Sequence, residues 1–139
     1  MPILLQLPVI RQEIVLGWAR HTPSDFILSA KLPQTITHKK ALDVARGIEL
    51  DLNQFLEMMK PLIDARKLAC VLVQLPPFLR FGVERLESFL STLPDNSRFA
   101  VEFRHDSWLN DETLKMLEKA SERFPGLDIY GTFCILPRR

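Results

Sequence analysis

Cysteine, glycine and tyrosine are scarce in this 139-residue chain, which has two, five and one of them. The two cysteines form neither a CxxC pair nor a zinc-ligand spacing, which favours two buried thiols over a disulfide framework or a zinc site. The glycines are scattered, so the phosphate-binding patterns GxGxxG and GxxxxGK[ST] do not occur. GxSxG and HExxH are absent as well. No apolar run approaches the ~20 residues of a membrane span.

Charge is nearly balanced, with a formal net charge of +1. The whole molecule therefore offers no electrostatic argument for a nucleic acid or an anionic membrane as partner. The amino terminus has no charged and apolar regions of the signal-peptide kind, so we expect a cytoplasmic protein. Apolar residues make up 47 % of the chain and charged residues 25 %, which is typical of one globular domain.

Apolar strands and amphipathic helices alternate along the sequence. Period-2 and period-3.6 patterns predict strands at 26–32, 70–75, 99–104 and 127–133, and helices at 14–20, 48–66, 83–93 and 111–124. The last helix is expected to bury Leu114, Leu117, Ala120 and Phe124, with Asn110 as N-cap. Pro61 is expected to kink or shorten the end of the second helix.

This alternation predicts an α/β fold with parallel strands and right-handed crossovers. A partial TIM-like (β/α) barrel of about four strands is the expected architecture. An open four-stranded sheet can stand alone, whereas four strands of a barrel leave both edges unpaired. If the half-barrel is the true chain, we expect self-association.

Three of the predicted strands become polar on one face toward their carboxyl ends. The residues on that face are Ser29 and Lys31, then Leu72 and Gln74, then Ala100, Glu102 and Arg104. The opposite face of each strand is apolar, as expected where it packs on helices. In a (β/α) barrel this pattern places a site at the carboxyl-terminal rim of the strands.

Four charged or ionisable side chains define the chemistry that such a site can perform. Glu102 can act as a general base or metal ligand, and His105 as an acid or second ligand. Lys31 and Arg104 are suited to hold an anionic group, since arginine contacts phosphate or carboxylate in a bidentate manner. The sequence leaves a divalent metal cofactor open and names no reaction.

Each of these residues also has a structural interpretation that involves no ligand. Glu102 can pair with Lys31 or Arg104 without any chemical role. A histidine in a loop, such as His38, can be merely solvated. Trp108 is either a lid or stacking platform for a ligand, or a plug that covers the rim of the barrel.

Three segments together resemble the YecE-like family, number seventy-two in the series of domains of unknown function. The segments are 23–38, which includes Lys31, Pro33, Thr37 and His38; 71–77, which reads VLVQLPP; and 99–108, which reads FAVEFRHDSW. The similarity runs from about Leu7 to Leu117. The family's opening Gly-Thr-Ser-Gly-Trp strand and second strand are missing, and the chain stops where later strands should follow. The resemblance thus implies one YecE-like domain over 1–139, incomplete at both ends.

The resemblance implies a (β/α) barrel and a shared polar pocket but brings no known activity. The predicted catalytic residues are Glu102 and His105, and the predicted ligand-binding residues are Lys31, Thr37, His38, Gln74, Arg104 and Trp108. One hypothesis is an enzyme acting on a phosphorylated or carboxylated small molecule or a phosphodiester. The alternatives are a protein that binds an anion or nucleotide without turnover, and a truncated fragment without independent function.

Overall fold

Strands and helices alternate without exception in the part of the chain that the computed structural model describes, residues 3–5, 11–80, 82–94 and 97–123. The strands are β1 (Ile3–Leu5), β2 (Leu28–Lys31), β3 (Leu68–Gln74) and β4 (Phe99–Glu102). The helices are α1 (Gln12–His21), α2 (Ile48–Asp64), α3 (Val83–Leu90) and α4 (Asp111–Arg123). The strands form one parallel sheet in the order β1, β2, β3, β4. None of the described helices has the length and apolar character needed to cross a bilayer.

Most predicted elements agree with the observed ones to within three residues. β1 is an addition, because the sequence shows only an apolar segment there and three residues are too few for a periodic pattern. The predicted strand 127–133 and Phe124 lie outside the described residues. So does part of the predicted turn before β4.

Helix α2 shows why a hydrophobic stripe was enough to predict it. It buries one face, formed by Ile48, Leu52, Phe55, Met59 and Leu62. Gly47, with φ of 77°, stands before it in the left-handed conformation that glycine adopts without strain. The buried stripe holds the helix on the sheet, because tertiary packing supplies most of the stability of helices in proteins.

Pro61 lies inside α2, and the helix nevertheless continues to Asp64. Proline has no N–H, so the carbonyl of Glu57, four residues earlier, loses its donor within the helix. The side-chain amide of Gln12 in α1 donates to that carbonyl at 3.0 Å. The packing of α1 against α2 therefore replaces the missing hydrogen bond, and the expected shortening is limited to the last two positions.

The register of the sheet decides which side chains share a face. Leu28 pairs with Leu68 but Ala30 pairs with Val71, so β3 contains one extra residue, a bulge, near its start. A shift of one residue exchanges the two faces of a strand. From Val71 onward the bulge brings the apolar positions of β3 into line with those of β2.

One face of the sheet is covered by helices and buried. The residues of this face include Ala30, Leu32, Val71, Val73, Leu75, Phe99 and Phe103. On the other face Lys31, Leu72 and Ala100 are half-buried. Cys70 is on that face too, with its thiol 3.6 Å from Ser29 Oγ, and it is free and half-buried rather than buried as predicted.

Helix α4 is turned slightly from its predicted orientation. Its buried residues are Thr113, Met116, Leu117 and Ala120, whereas Leu114 is 41 % exposed. These four positions follow the i, i+3, i+4, i+7 spacing of one helical face, and Leu114 falls beside that face. The predicted cap is confirmed, since Asn110 Oδ1 accepts the backbone N–H of Thr113 at 2.8 Å.

Candidate functional site

Glu102 and Gln74 form the centre of the polar edge predicted from the strand ends. They are direct neighbours across β3 and β4, and Gln74 Nε2 donates to Glu102 Oε2 at 3.1 Å. Both side chains are buried, and Glu102 is only 6 % exposed. The parallel register, rather than a local sequence feature, brings them together.

The second carboxyl oxygen of Glu102 is buried without a partner. Oε1 receives no hydrogen bond from any described residue. A buried polar atom left unsatisfied costs about 1–3 kcal/mol, so the fold keeps this group at the expense of stability. Such a group is a signal for a ligand contact, although Thr113 Oγ1 in the first turn of α4 is a second buried orphan among the described residues.

The alternative that Glu102 serves only as half of an ion pair is wrong for the described chain. Neither Lys31 nor Arg104 forms an ion pair with Glu102 there. The pairs between described side chains are Lys40 with Asp51 and Lys60 with Asp64, and neither includes Glu102, Lys31 or Arg104. The two cations are therefore not neutralised by the one acidic group of the site.

His38 is the residue on which both cations act electrostatically. Burial lowers the pKa of His38 below its ordinary value of 6.5, and the positive charges of Lys31 and Arg104 lower it further. Like charges disfavour the charged form of a neighbouring group, and both cations lie at the same edge of the sheet as His38. The neutral form of the imidazole therefore predominates at pH 7.

Thr37 and Phe78 hold the ring of His38 in place. The hydroxyl of Thr37, itself buried, lies 2.8 Å from His38 Nδ1. Phe78, in the loop after β3, meets the ring edge-on with centroids 6.3 Å apart. Phe78 is 64 % exposed, which is unusual for a large apolar residue, and the prediction of the site missed it. The signal available in the sequence was its position directly after Pro76 and Pro77.

His105 is tied to the backbone that follows it. Its Nδ1 accepts the backbone N–H of Ser107 at 3.1 Å, and Ser107 Oγ lies 2.8 Å from the same nitrogen. A backbone N–H can only donate, so the neutral ring carries its proton on Nε2. In that tautomer Nε2 is a hydrogen-bond donor. The catalytic role of His105 stays a prediction.

Trp108 is buried, and its indole N–H forms a hydrogen bond within the fold. It is 1 % exposed, its indole N–H donates to the carbonyl of Leu79 at 2.8 Å, and its ring stacks on Phe103 at 5.1 Å. A ring with both its apolar surface and its N–H engaged has the position of a plug. Its predicted contact with a ligand stays a prediction, and the described conformation gives no surface for it.

No group of three or more His, Cys, Asp or Glu side chains able to hold a metal ion occurs among residues 3–5, 11–80, 82–94 and 97–123. The predicted residues at the carboxyl ends of β2, β3 and β4 or in the loop after β2 are Lys31, Thr37, His38, Gln74, Glu102 and Arg104, of which Gln74 contacts Glu102 and Thr37 contacts His38. The chemistry that this edge can perform is to bind an anion beside a neutral imidazole and a buried carboxyl group.

Sequence comparison connects the chain with proteins of unassigned function. The family model described as "Protein of unknown function DUF72" matches residues 8–128. UPF0759 protein YecE of Escherichia coli K12 is 36 % identical over 98 residues, which are 68 % of this chain and 34 % of that protein. The same protein of Escherichia coli O157:H7 matches equally.

Solved structures of the same family share the fold. A DUF72 family protein from Thermotoga maritima superposes with a TM-score of 0.70 at 30 % identity, over 85 % of this chain and 46 % of that one. One from Enterococcus faecalis gives a TM-score of 0.67 at 25 % identity, over 84 % and 48 %. The predicted fold, a partial (β/α) barrel, is confirmed. The chain spans about a third of the curated relatives, at 34 %, and under half of these solved structures. With its match over residues 8–128, the chain belongs to the DUF72 family of proteins of unknown function.

Proposed function

We propose that the carboxyl-terminal edge of β2, β3 and β4 binds the phosphate or carboxylate group of a small molecule. The observation that carries the proposal is the pair of cations, Lys31 and Arg104, which both act on His38 and form no ion pair with a described carboxylate. Two unneutralised positive charges at one edge of a sheet favour an anion, and arginine adds a bidentate contact.

The neutral ring of His38 supports this assignment. A bound anion interacts favourably with the protonated form of a neighbouring imidazole, so it reverses the repulsion that Lys31 and Arg104 exert. The hydroxyl of Thr37 sets the orientation of the ring from its Nδ1 side. His38 is thereby a hydrogen-bonding group for the ligand in either protonation state.

The buried carboxyl group favours an enzyme over a protein that only captures the anion. A carboxylate repels an anionic group, so capture of the anionic group alone does not account for Glu102 at the centre of the site. A general base or acid, in contrast, must lie beside the ligand in a restricted environment. We assign acid–base chemistry to Glu102, with Gln74 holding its other oxygen.

Binding of inorganic phosphate, followed by phosphorus NMR or titration calorimetry, tests the proposal. We expect Lys31→Met and Arg104→Met each to weaken binding by about tenfold or more, because each removes a charged hydrogen-bond donor. Lys60→Met is the matched control: it removes the same charge from an exposed lysine of α2 that pairs with Asp64. Equal affinity in all four proteins, or an equal loss in the control, would contradict the proposal.

A further inference from the structure

We propose that the ligand of this edge is a sugar phosphate, or a similar phosphorylated polyol, in which a hydroxyl group donates a hydrogen bond to Glu102 Oε1. This inference rests on the proposed function, since it takes the anion held by Lys31 and Arg104 as one end of the ligand. It adds a second contact, made by a group of different chemistry, at the other end.

The two oxygens of Glu102 have different surroundings. Oε2 accepts the amide of Gln74 at 3.1 Å, while Oε1 has no hydrogen-bond partner among the described residues. The side chain is 6 % exposed, so bulk water does not solvate it freely. A ligand that supplies a donor to Oε1 completes the hydrogen bonding of the group.

The charge of the site selects the kind of donor. An ammonium group or a metal ion would approach Lys31 and Arg104, whose positive charges already lower the pKa of His38. A hydroxyl group donates to a carboxyl oxygen without bringing a positive charge. An alcohol is thus the donor most compatible with the two cations.

The sheet sets the length of the ligand. Lys31 pairs with Leu72 in β3, and Glu102 lies one strand further, level with Gln74. Neighbouring strands are about 4.8 Å apart and residues along a strand about 3.3 Å, so two strands and a two-residue offset put the backbones of Lys31 and Glu102 about 12 Å apart. The lysine side chain spans part of that distance. A ligand of several carbon atoms reaches both groups, whereas inorganic phosphate reaches one.

Gln74 is the positioning residue of this arrangement. Its amide holds Oε2 and fixes the carboxyl group in one orientation, which leaves Oε1 for the ligand. Both residues are buried at neighbouring positions of paired strands, so their relative placement is determined by the backbone. The backbone positions of the two residues therefore need no change for a hydroxyl contact. Oε1 itself has almost no accessible surface, so the ligand reaches it only when a side chain that covers it moves.

Three probes of increasing complexity test the inference: inorganic phosphate, pentyl phosphate and ribose 5-phosphate. The last two have five carbons and the same charge, and they differ in the hydroxyl groups. We expect the wild-type chain to bind ribose 5-phosphate about tenfold more tightly than pentyl phosphate, as for one hydrogen bond to a carboxyl oxygen. Glu102→Met should abolish that preference, so that the two five-carbon phosphates bind with equal affinity.

A double variant protects the test against misfolding. Gln74→Met combined with Glu102→Met replaces both partners of the buried hydrogen bond, so neither is left unpaired. It should fold with a cooperative thermal transition and show the same loss of preference. Lys31→Met should weaken all three probes alike.

The outcomes separate the inference from the function on which it rests. Absence of binding by every probe would sink the proposed anion site itself. Phosphate binding with no preference for ribose 5-phosphate, or a preference that survives Glu102→Met, would overturn only the hydroxyl contact. Magnesium ions that bind the wild-type chain without any phosphate and fail to bind Glu102→Met would also overturn it, by assigning Oε1 to a metal.

Discussion

His38 is the residue whose pKa depends most directly on its neighbours in the fold. The sequence left open whether it binds a ligand or is merely solvated. In the fold, burial and the charges of Lys31 and Arg104 all favour the neutral ring, and Thr37 hydrogen-bonds to Nδ1. A single titration therefore reports on both cations of the candidate site.

The first residue-scale prediction concerns this titration. Lys31→Met should raise the pKa of His38 toward 6.5, because it removes one of the two repelling charges. Added phosphate should raise the pKa in the wild-type chain for the same electrostatic reason. Proton NMR of the imidazole signals measures both effects. An unchanged His38 titration in Lys31→Met, with Lys60→Met as charge-matched control, would show that Lys31 does not lie near the ring.

The lowered pKa of His38 also determines how the free energy of unfolding changes with pH. Folding lowers the pKa of His38 below 6.5, so between the two pKa values the unfolded chain binds more protons than the folded one. The contribution of His38 to the free energy of unfolding therefore falls as the pH drops below 6.5. Urea unfolding above and below that pH should show a smaller loss for Lys31→Met than for Lys60→Met.

At the scale of elements, α1 is held at its carboxyl end by a lysine that the sequence did not single out. Lys67 is buried, and its Nζ donates to the carbonyls of Ala19 and Thr22 and to the hydroxyl of Thr22, at 2.7–3.0 Å. A cation at this end of a helix also complements the helix dipole. Lys67 precedes β3, so it lies at the opposite end of the sheet from Glu102.

Lys67→Met should lower the free energy of unfolding by about 2–4 kcal/mol, because it removes three charge-assisted hydrogen bonds and leaves partly buried acceptors unpaired. Urea denaturation measures the loss. Lys60→Met, on the exposed side of α2, should stay within about 0.5 kcal/mol of the wild-type chain. Phosphate affinity should be unchanged in Lys67→Met as long as it is folded. A stability equal to that of the wild type would mean that α1 ends independently of this contact.

The whole molecule has a net charge of +1, so binding to an anion has to come from local charges. We expect the logarithm of the phosphate-binding constant to fall with the logarithm of salt concentration with a slope no steeper than about −2, as for contacts to one anion. A short DNA duplex should show no steep salt-dependent binding. A slope of the size produced by many phosphate contacts would contradict a small-molecule site and favour a nucleic acid.

Self-association also belongs to this scale and stays a prediction. Parallel sheets are normally covered on both faces, and Lys31, Leu72 and Ala100 are only half-buried on a face whose other residues include the buried Gln74 and Glu102. Sedimentation velocity of the 139-residue chain at several concentrations measures it. A concentration-independent monomer that melts cooperatively would count against it.

The sequence by itself determined the alternation of strands and helices and the end of the sheet at which polar residues collect. Both depend on local periodicity: the stripe of α2 repeats every 3.6 residues, and the polar face of β4 repeats every two. The family resemblance is likewise confirmed, because it rests on short segments in a fixed order. The rotation of α4 about its own axis was predicted less well, since Leu114 was expected on the buried face and lies beside it.

Only the tertiary structure decided which of these residues meet. The Gln74–Glu102 contact depends on the register between two strands separated by α3, and no local pattern specifies a register. The approach of His38 to Lys31 and Arg104 depends on a loop conformation and on β3 lying between β2 and β4. Periodicity tells which side of an element is buried, but contacts between distant residues arise only when packing places the elements side by side.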